Sequence, residues 1–199
     1  MYETESGAMC EPDEMHKKFM YWGRRFETCV TTDPSVTPDP SVTSAAGGNC
    51  YSMVTGDIGK YRVLLAAEID AVRPRGTTSS IGATTENCDV SEAGNHLTDL
   101  HLNPSEAANR SPQEYIELKT CVERTVRNKL CYGWLQSYLA GIETLYYGFR
   151  DDVGYLNKTR EYVVSEVPAL CKWDGGAMFG LMSGLVNWAF TRVEEGTSG

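Results

Sequence analysis

Ser111-Pro112-Gln113-Glu114-Tyr115-Ile116-Glu117-Leu118-Lys119-Thr120-Cys121-Val122-Glu123-Arg124-Thr125-Val126 is the stretch whose reading decides the fold. Its first four residues have the form of a capping box, with Ser111 as N-cap, Pro112 at the first helical position and Glu114 able to reach back to the N-cap amide. Beyond it Tyr115, Leu118, Val122 and Val126 recur at threes and fours with Cys121 beside them, which reads as one helical face. The rhythm continues through Cys131 into Trp134, Leu135, Tyr138, Ile142, Leu145 and Phe149. This predicts one long helix bent near Gly133, or two in succession, since each glycine costs about 1 kcal/mol against alanine. Asp151-Asp152 open another helix that carries Val153, Leu156, Val163, Val167 and Leu170 and kinks or ends at Pro168. Asp174 caps a final helix with Met178, Leu181, Leu185 and Trp188 on its inner face, while Gly176, Gly180 and Gly184 leave a line for close helix approach.

Toward the N terminus the same rules give further helices. Pro12-Asp13-Glu14 begins helix 1 (11–32), where Met15, Phe19, Trp22, Phe26 and Cys29 share a face. A Pro/Ser/Thr-rich linker (33–49) repeats Asp-Pro-Ser-Val-Thr at 33–37 and 39–43. Asn49 caps helix 2 (50–73), whose Val54, Ile58, Tyr61, Leu65 and Val72 form a stripe that ends before Pro74. Glu68 falls on the strict seam, but a 3.6-residue period moves Ile69 inward and leaves Glu68 at the solvated edge, the less costly arrangement. Residues 74–110 read as an irregular loop with a possible short helix at Val90, Leu97 and Leu100. That loop holds His96, Asp99 and His101, whose spacing does not match a helical metal motif. The expectation is therefore a single all-α domain over 1–199, with five to six helices in antiparallel hairpins forming an irregular disulfide-stapled bundle, its C-terminal helical region spanning 111–193.

The functional reading follows from charge and cysteines. With 18 basic against 27 acidic residues the net charge is −9, which argues against a nucleic-acid partner. The uncharged run Gly175 to Thr191 is too short and too glycine-rich to span a membrane, and the acidic start lacks the basic region of a signal peptide. Seven cysteines without a C-x-x-C pair favour disulfides. Cys29–Cys50 is the bridge the helical hairpin predicts, and an odd thiol is left free or linked to another chain. The sequons at Asn157 and Asn109 also point to an extracellular, secreted glycoprotein.

Catalytic patterns are absent from this reading. His16, His96 and His101 are accompanied by no G-x-S-x-G elbow, Walker loop, G-x-G-x-x-G or Glu-x-x-His signature. Asp151-Asp152 and Glu194-Glu195 read as solvated helix ends. The sequence thus predicts no enzyme, no cofactor and no metal. Tyrosines are concentrated between Tyr115 and Tyr162, and they suit the edge of a pocket. The expected site is a cavity lined by Trp134, Tyr138, Ile142, Tyr146, Phe149, Met178 and Met182 that holds a small hydrophobic or amphipathic molecule. The alternative is a protein–protein interaction or signalling module acting through a tyrosine-rich surface.

Overall fold

The computed structural model describes residues 2–3, 9–10, 13–31, 50–73 and 110–196. A small ladder joins β1 (Tyr2–Glu3) to β2 (Met9–Cys10). Helix α1 (Glu14–Thr31) falls inside the expected 11–32. Asp13 begins it by accepting the His16 N–H at 2.7 Å, and Phe26 and Val30 bury its C-terminal half.

The segment expected as helix 2 is a β-hairpin instead, β3 (Cys50–Ile58) against β4 (Tyr61–Ile69). Its two-residue turn begins at Gly59 with φ +61°, a conformation that glycine adopts without strain. The misleading stripe has a simple cause. Across the hairpin Val54 faces Leu65 and Ile58 faces Tyr61, so residues that share a face by pairing are spaced in sequence as if along a helix. Along β4 burial alternates residue by residue, the strand period. Ile69 is buried and Glu68 exposed, but on a strand.

A second sheet of four strands has the order β5-β6-β7-β8, from β5 (Ala71–Val72), β6 (Tyr115–Val122), β7 (Thr144–Arg150) and β8 (Leu156–Val163). Strands β6 and β7 are parallel, linked by helix α2 (Val126–Ala140), while β5–β6 and β7–β8 are antiparallel. The expected long helix is therefore a strand–helix–strand unit. Ser111 does donate its N–H to Glu114 Oε2 at 3.0 Å, but the turn it caps is a single 3-10 turn (Pro112–Glu114) that feeds straight into β6. Helix α2 stops at Gly141 with φ +72°. Helix α3 is only Val167–Cys171, and α4 runs Gly175–Gly196.

Helix α1 covers one face of this sheet, where Phe26, Val30, Ala71, Ile116, Leu118 and Tyr146 pack together. On the other face Cys121, Leu130, Trp134, Leu145, Tyr147, Phe149 and Val167 form the core beneath α2 and α3. The fold is thus mixed α/β, and the all-α bundle is corrected by strands on both sides of the capping box. On α4 the expected inner face is largely outward: Leu181, Leu185 and Trp188 are exposed, and the helix instead leans on the hairpin through Phe190, stacked 4.4 Å from Tyr61.

The disulfide staple is also corrected. Cys29, Cys50, Cys121, Cys131 and Cys171 are all free. Cys29 lies on the exposed side of α1, whereas Cys50 packs inward with Ile69, Val72 and Tyr115. Buried free cysteines behave as small apolar side chains, which accounts for Cys50, Cys121 and Cys171 without bridges. The expected linker 33–49, the loop carrying Cys88, His96, Asp99 and His101, and the Asn109 sequon lie outside the described residues.

One glycine fixes how α1 sits. A Cβ at Gly148 on β7 would stand 2.4 Å from Cε2 of Phe26. Gly148→Ala is expected to push α1 off the sheet and cost about 1–3 kcal/mol in chemical denaturation. An unchanged midpoint would show that this contact does not seat the helix.

Candidate active site

The site forms where one strand passes between the two sheets. β4 leaves the hairpin after Ile69 and, beyond Asp70, becomes β5, which pairs with β6 at Ala71↔Ile116 and Val72↔Tyr115. Past these rungs the backbone pairing ends, and Asp70 Oδ2 accepts the Leu118 N–H at 2.8 Å. Alternation along β6 sends Glu117 and Lys119 to the same face while Leu118 points to the α1 side. Lys119 donates to Glu117 Oε1 and its Nζ is 3.9 Å from Asp70 Oδ2. Glu117 is 1% exposed and its Oε2 has no hydrogen-bond partner among the described residues, whereas the Lys119 side chain remains 34% exposed.

Electrostatics bind Glu27 of α1 into the same group. Burial, then the neighbouring Asp70 charge, raises its pKa from 4.5 to about 7, against the pull of Lys119. Burial also raises Asp70 and Glu117, opposed by Lys119. For Lys119 burial disfavours the charge, but Glu117 and Asp70 outweigh it and the net shift is upward, so it stays cationic. A carboxyl with a raised folded-state pKa holds extra protons in the native protein, so stability falls as pH rises from 4.5 to about 7. Glu27→Gln is expected to remove part of that slope and to gain on the order of 1–2 kcal/mol above pH ~7 after allowance for solvent screening. Denaturant midpoints across pH test this, and parallel curves for the two proteins would reject it.

Beside Lys119 opens a shallow cavity of about 240 Å³, lined by Thr120 and Tyr147 of the sheet and by Lys129, Tyr132, Gly133 and Gln136 of α2. Tyr147 closes its floor, donating to the Lys129 carbonyl at 3.1 Å. The sequence-predicted pocket residues are not gathered here. Trp134 and Phe149 lie in the core under α2, with Met178 packed against it. Tyr146 is on the opposite sheet face and Ile142 in a third cluster. Tyr138 is exposed and rests against Trp134 and Phe179, and Met182 is half-buried on α4. Asn157 stands exposed on β8.

The sequence reading passed over Glu27, Asp70, Glu117 and Lys119. In a helix Glu117 and Lys119 point some 200° apart and carry no joint meaning, but in a strand they are neighbours on one face. The available signal was a Glu-x-Lys with apolar flanks, preceded by Glu68-Ile69-Asp70 in another strand-like segment.

A mixed sheet bearing an aspartate at the junction of two strands and a Glu-x-Lys on the neighbouring strand has the arrangement of the PD-(D/E)XK nucleases, although Ile69 rather than proline precedes the aspartate. The chain belongs to the RAI1-like PD-(D/E)XK nuclease family, which it matches over residues 2–198. It is 24% identical over 207 residues to the decapping nuclease din1 of Schizosaccharomyces pombe, covering 89% of this chain and 54% of that protein. It is 24% identical over 160 residues to the decapping and exoribonuclease protein of Bos taurus, covering 76% of this chain and 33% of that one. The chain therefore spans about half, or less, of the length of these relatives.

Among solved structures, S. pombe Rai1 in complex with 3′-FADP superposes with TM-score 0.60 at 23% identity, over 96% of this chain and 55% of that one. Candida albicans Rai1 in complex with pU5-Mn2+ superposes with TM-score 0.53 at 20% identity, over 81% and 38%. These findings correct the expectation of a secreted, non-catalytic binding protein, since the family and its relatives are nucleases. They also correct the exclusion of nucleic acid, because that relative carries a pU5 ligand. Net charge misled because it averages over the chain, whereas Lys119 and Lys129 are placed together at the cavity. With Cys29, Cys50, Cys121, Cys131 and Cys171 free, the internal disulfides on which the argument for secretion rested are absent among these five. Among the described residues no helix is long and apolar enough to cross a membrane.

Proposed function

We propose that this chain hydrolyses phosphate-ester or phosphoanhydride bonds at the 5′ end of RNA, assisted by a divalent cation. The observation that carries this is the buried Glu117 beside Asp70 and Lys119 at the open edge of β6, in a chain of this family. The residues fit a hard cation: Asp70 and Glu117 offer oxygen donors, and Glu117 Oε2 is buried with no hydrogen-bond partner among the described residues. No group of three or more His, Cys, Asp and Glu among the described residues forms a metal cage. The fit is therefore to an ion such as Mg2+ or Mn2+ that keeps several waters and takes further oxygens from a phosphate. Such an ion, when bound, supplies charge neutralisation at the phosphate and acidifies a coordinated water.

The chain's own groups supply the rest. Lys119, cationic and partly exposed, faces the cavity and stabilises negative charge developing on a phosphoryl oxygen. Glu27, half-buried on α1 and close enough to Asp70, Lys119 and Glu117 to feel their charges, is the chain's group suited to take a proton from the attacking water near neutral pH. The water oxygen then bonds to phosphorus, the bond from phosphorus to the leaving oxygen breaks with its electron pair passing to that oxygen, which takes a proton from solvent, and Glu27 returns its proton to solvent. Lys129, Tyr132 and Gln136 present a cation, a ring and an amide to the 5′ nucleotide.

The direct test incubates the purified chain with 5′-capped and 5′-triphosphorylated RNA in Mg2+ or Mn2+ and resolves the products on denaturing gels. Product that forms with the cation and disappears with EDTA is expected, with calorimetric Mn2+ binding that Asp70→Asn weakens. No product from either RNA under any cation would reject the reading.

A further inference from the structure

The N-terminal half of α1 has no part in the core, although it leads directly to Glu27. Met15, Phe19, Met20 and Tyr21 are each more than 40% exposed. Their polar neighbours are mostly basic: α1 carries Lys17, Lys18, Arg24 and Arg25 against Glu14 and Glu27, in a chain whose net charge is −9. The inner side of this half is already occupied. Arg150 lies 4.2 Å from the Trp22 ring centroid and 5.2 Å from that of Phe19, so these rings back onto β7. Arg25 turns inward too, with Nη1 buried.

Helical periodicity puts Lys17, Tyr21 and Arg24 together on the outward side, four and three residues apart. Lys17 pairs with Glu14 at 3.0 Å, but both side chains are exposed, and such a pair is readily exchanged for a phosphate. Tyr21 is 45% exposed between the two cations. The next residue on this side, Thr28, is buried, so the outward strip ends within a turn of Glu27. At a rise of about 1.5 Å per residue, Lys17 to Glu27 spans about 15 Å, the reach of a few nucleotides.

We infer that the outward strip Lys17–Tyr21–Arg24 of α1 is a track for single-stranded RNA, carrying the part of the strand beyond the nucleotide at the Asp70–Glu117–Lys119 site. Cations spaced along an exposed helix face with an aromatic between them are what a flexible polyanion with stackable bases requires. Charge complementarity and continuity with Glu27 favour RNA over an apolar protein partner. The inference rests on the nuclease reading above and adds to it a preference for longer strands.

The test compares 5′-triphosphorylated oligouridylates of two and about fifteen nucleotides, one too short and one long enough to lie along the strip, by fluorescence anisotropy in EDTA, and follows cleavage of both in Mn2+. The wild type is expected to favour the longer strand. Tyr21→Ala and the pair Lys17→Ala/Arg24→Ala should each weaken its binding about tenfold, with Tyr21→Phe retaining it. The paired variant should also flatten the salt dependence by about 0.7 per cation removed. Cleavage of the short strand should be unchanged in all three, which also shows that they are folded. If the wild type cleaves the short strand but the variants bind the long one as it does, the track is overturned and the nuclease reading stands. If the wild type acts on neither strand, both fall.

Discussion

Glu117→Gln is expected to lower cation-dependent hydrolysis about 100-fold or more while leaving the fold as stable as before, or more so. The substitution keeps the shape of the side chain and removes one charge, so it separates chemistry from packing. On the chemical side, the orphaned Oε2 is the oxygen best placed to meet a cation, and an amide there is a far weaker donor to Mg2+ or Mn2+. Several kcal/mol of charge stabilisation lost at the phosphate correspond to a loss of that order. On the stability side, Glu117 is 1% exposed, and both its burial and the nearby Asp70 oppose ionisation. A neutral amide removes that opposition, while Lys119 keeps Asp70 as a partner. Initial rates and denaturant midpoints on the same preparation make the test. Undiminished hydrolysis would remove Glu117 from the site, and a rate loss accompanied by an equal loss of folded protein would make its role structural.

What was legible in the sequence depended on how many faces of each element are buried. Helix α1 has one such face, and its threes-and-fours spacing led to the right element. Strand β6 is covered on both sides, by α1 and by α2, so its apolar residues occupy both parities and the period of two disappears. Tyr115, Leu118 and Val122 then imitate a helix. The capping box strengthened that imitation, although Glu114 Oε2 accepts from the Ser111 N–H and Glu114 Oε1 from Arg110, an arrangement that here pins the entry to a strand. The hairpin was hidden by its own symmetry about Gly59. The site was illegible for the same reason as the sheet, since Glu117 and Lys119 become partners only on a strand and Asp70 joins them only where β4 crosses between sheets. Tertiary pairing brought these residues together, and no local spacing records it.

Lys119→Met should be the converse of Glu117→Gln, destabilising the protein by about 2–3 kcal/mol at neutral pH as well as silencing it. Removing one partner of a fully buried ion pair costs roughly 3–5 kcal/mol, because the other charge is left buried. The lower figure applies here because a third of the Lys119 side chain reaches solvent. Without the ammonium, Glu117 and Asp70 lose the attraction that opposes their burial, and their folded-state pKa values rise further above 4.5 and 3.8. The native state then binds more protons than the unfolded chain over a wider range, so the stability gap between variant and wild type widens as pH rises and narrows toward acid. Adding Glu117→Leu should recover most of the loss, since an apolar replacement for a buried pair is often neutral or better. Denaturation of the two single variants and the double at about pH 5 and about pH 8 completes the cycle. A gap that is the same at both pH values and is not rescued by the second substitution would mean that Lys119 contributes through the packing of its aliphatic stem, and that the charge cluster at the strand edge does not govern this fold's stability.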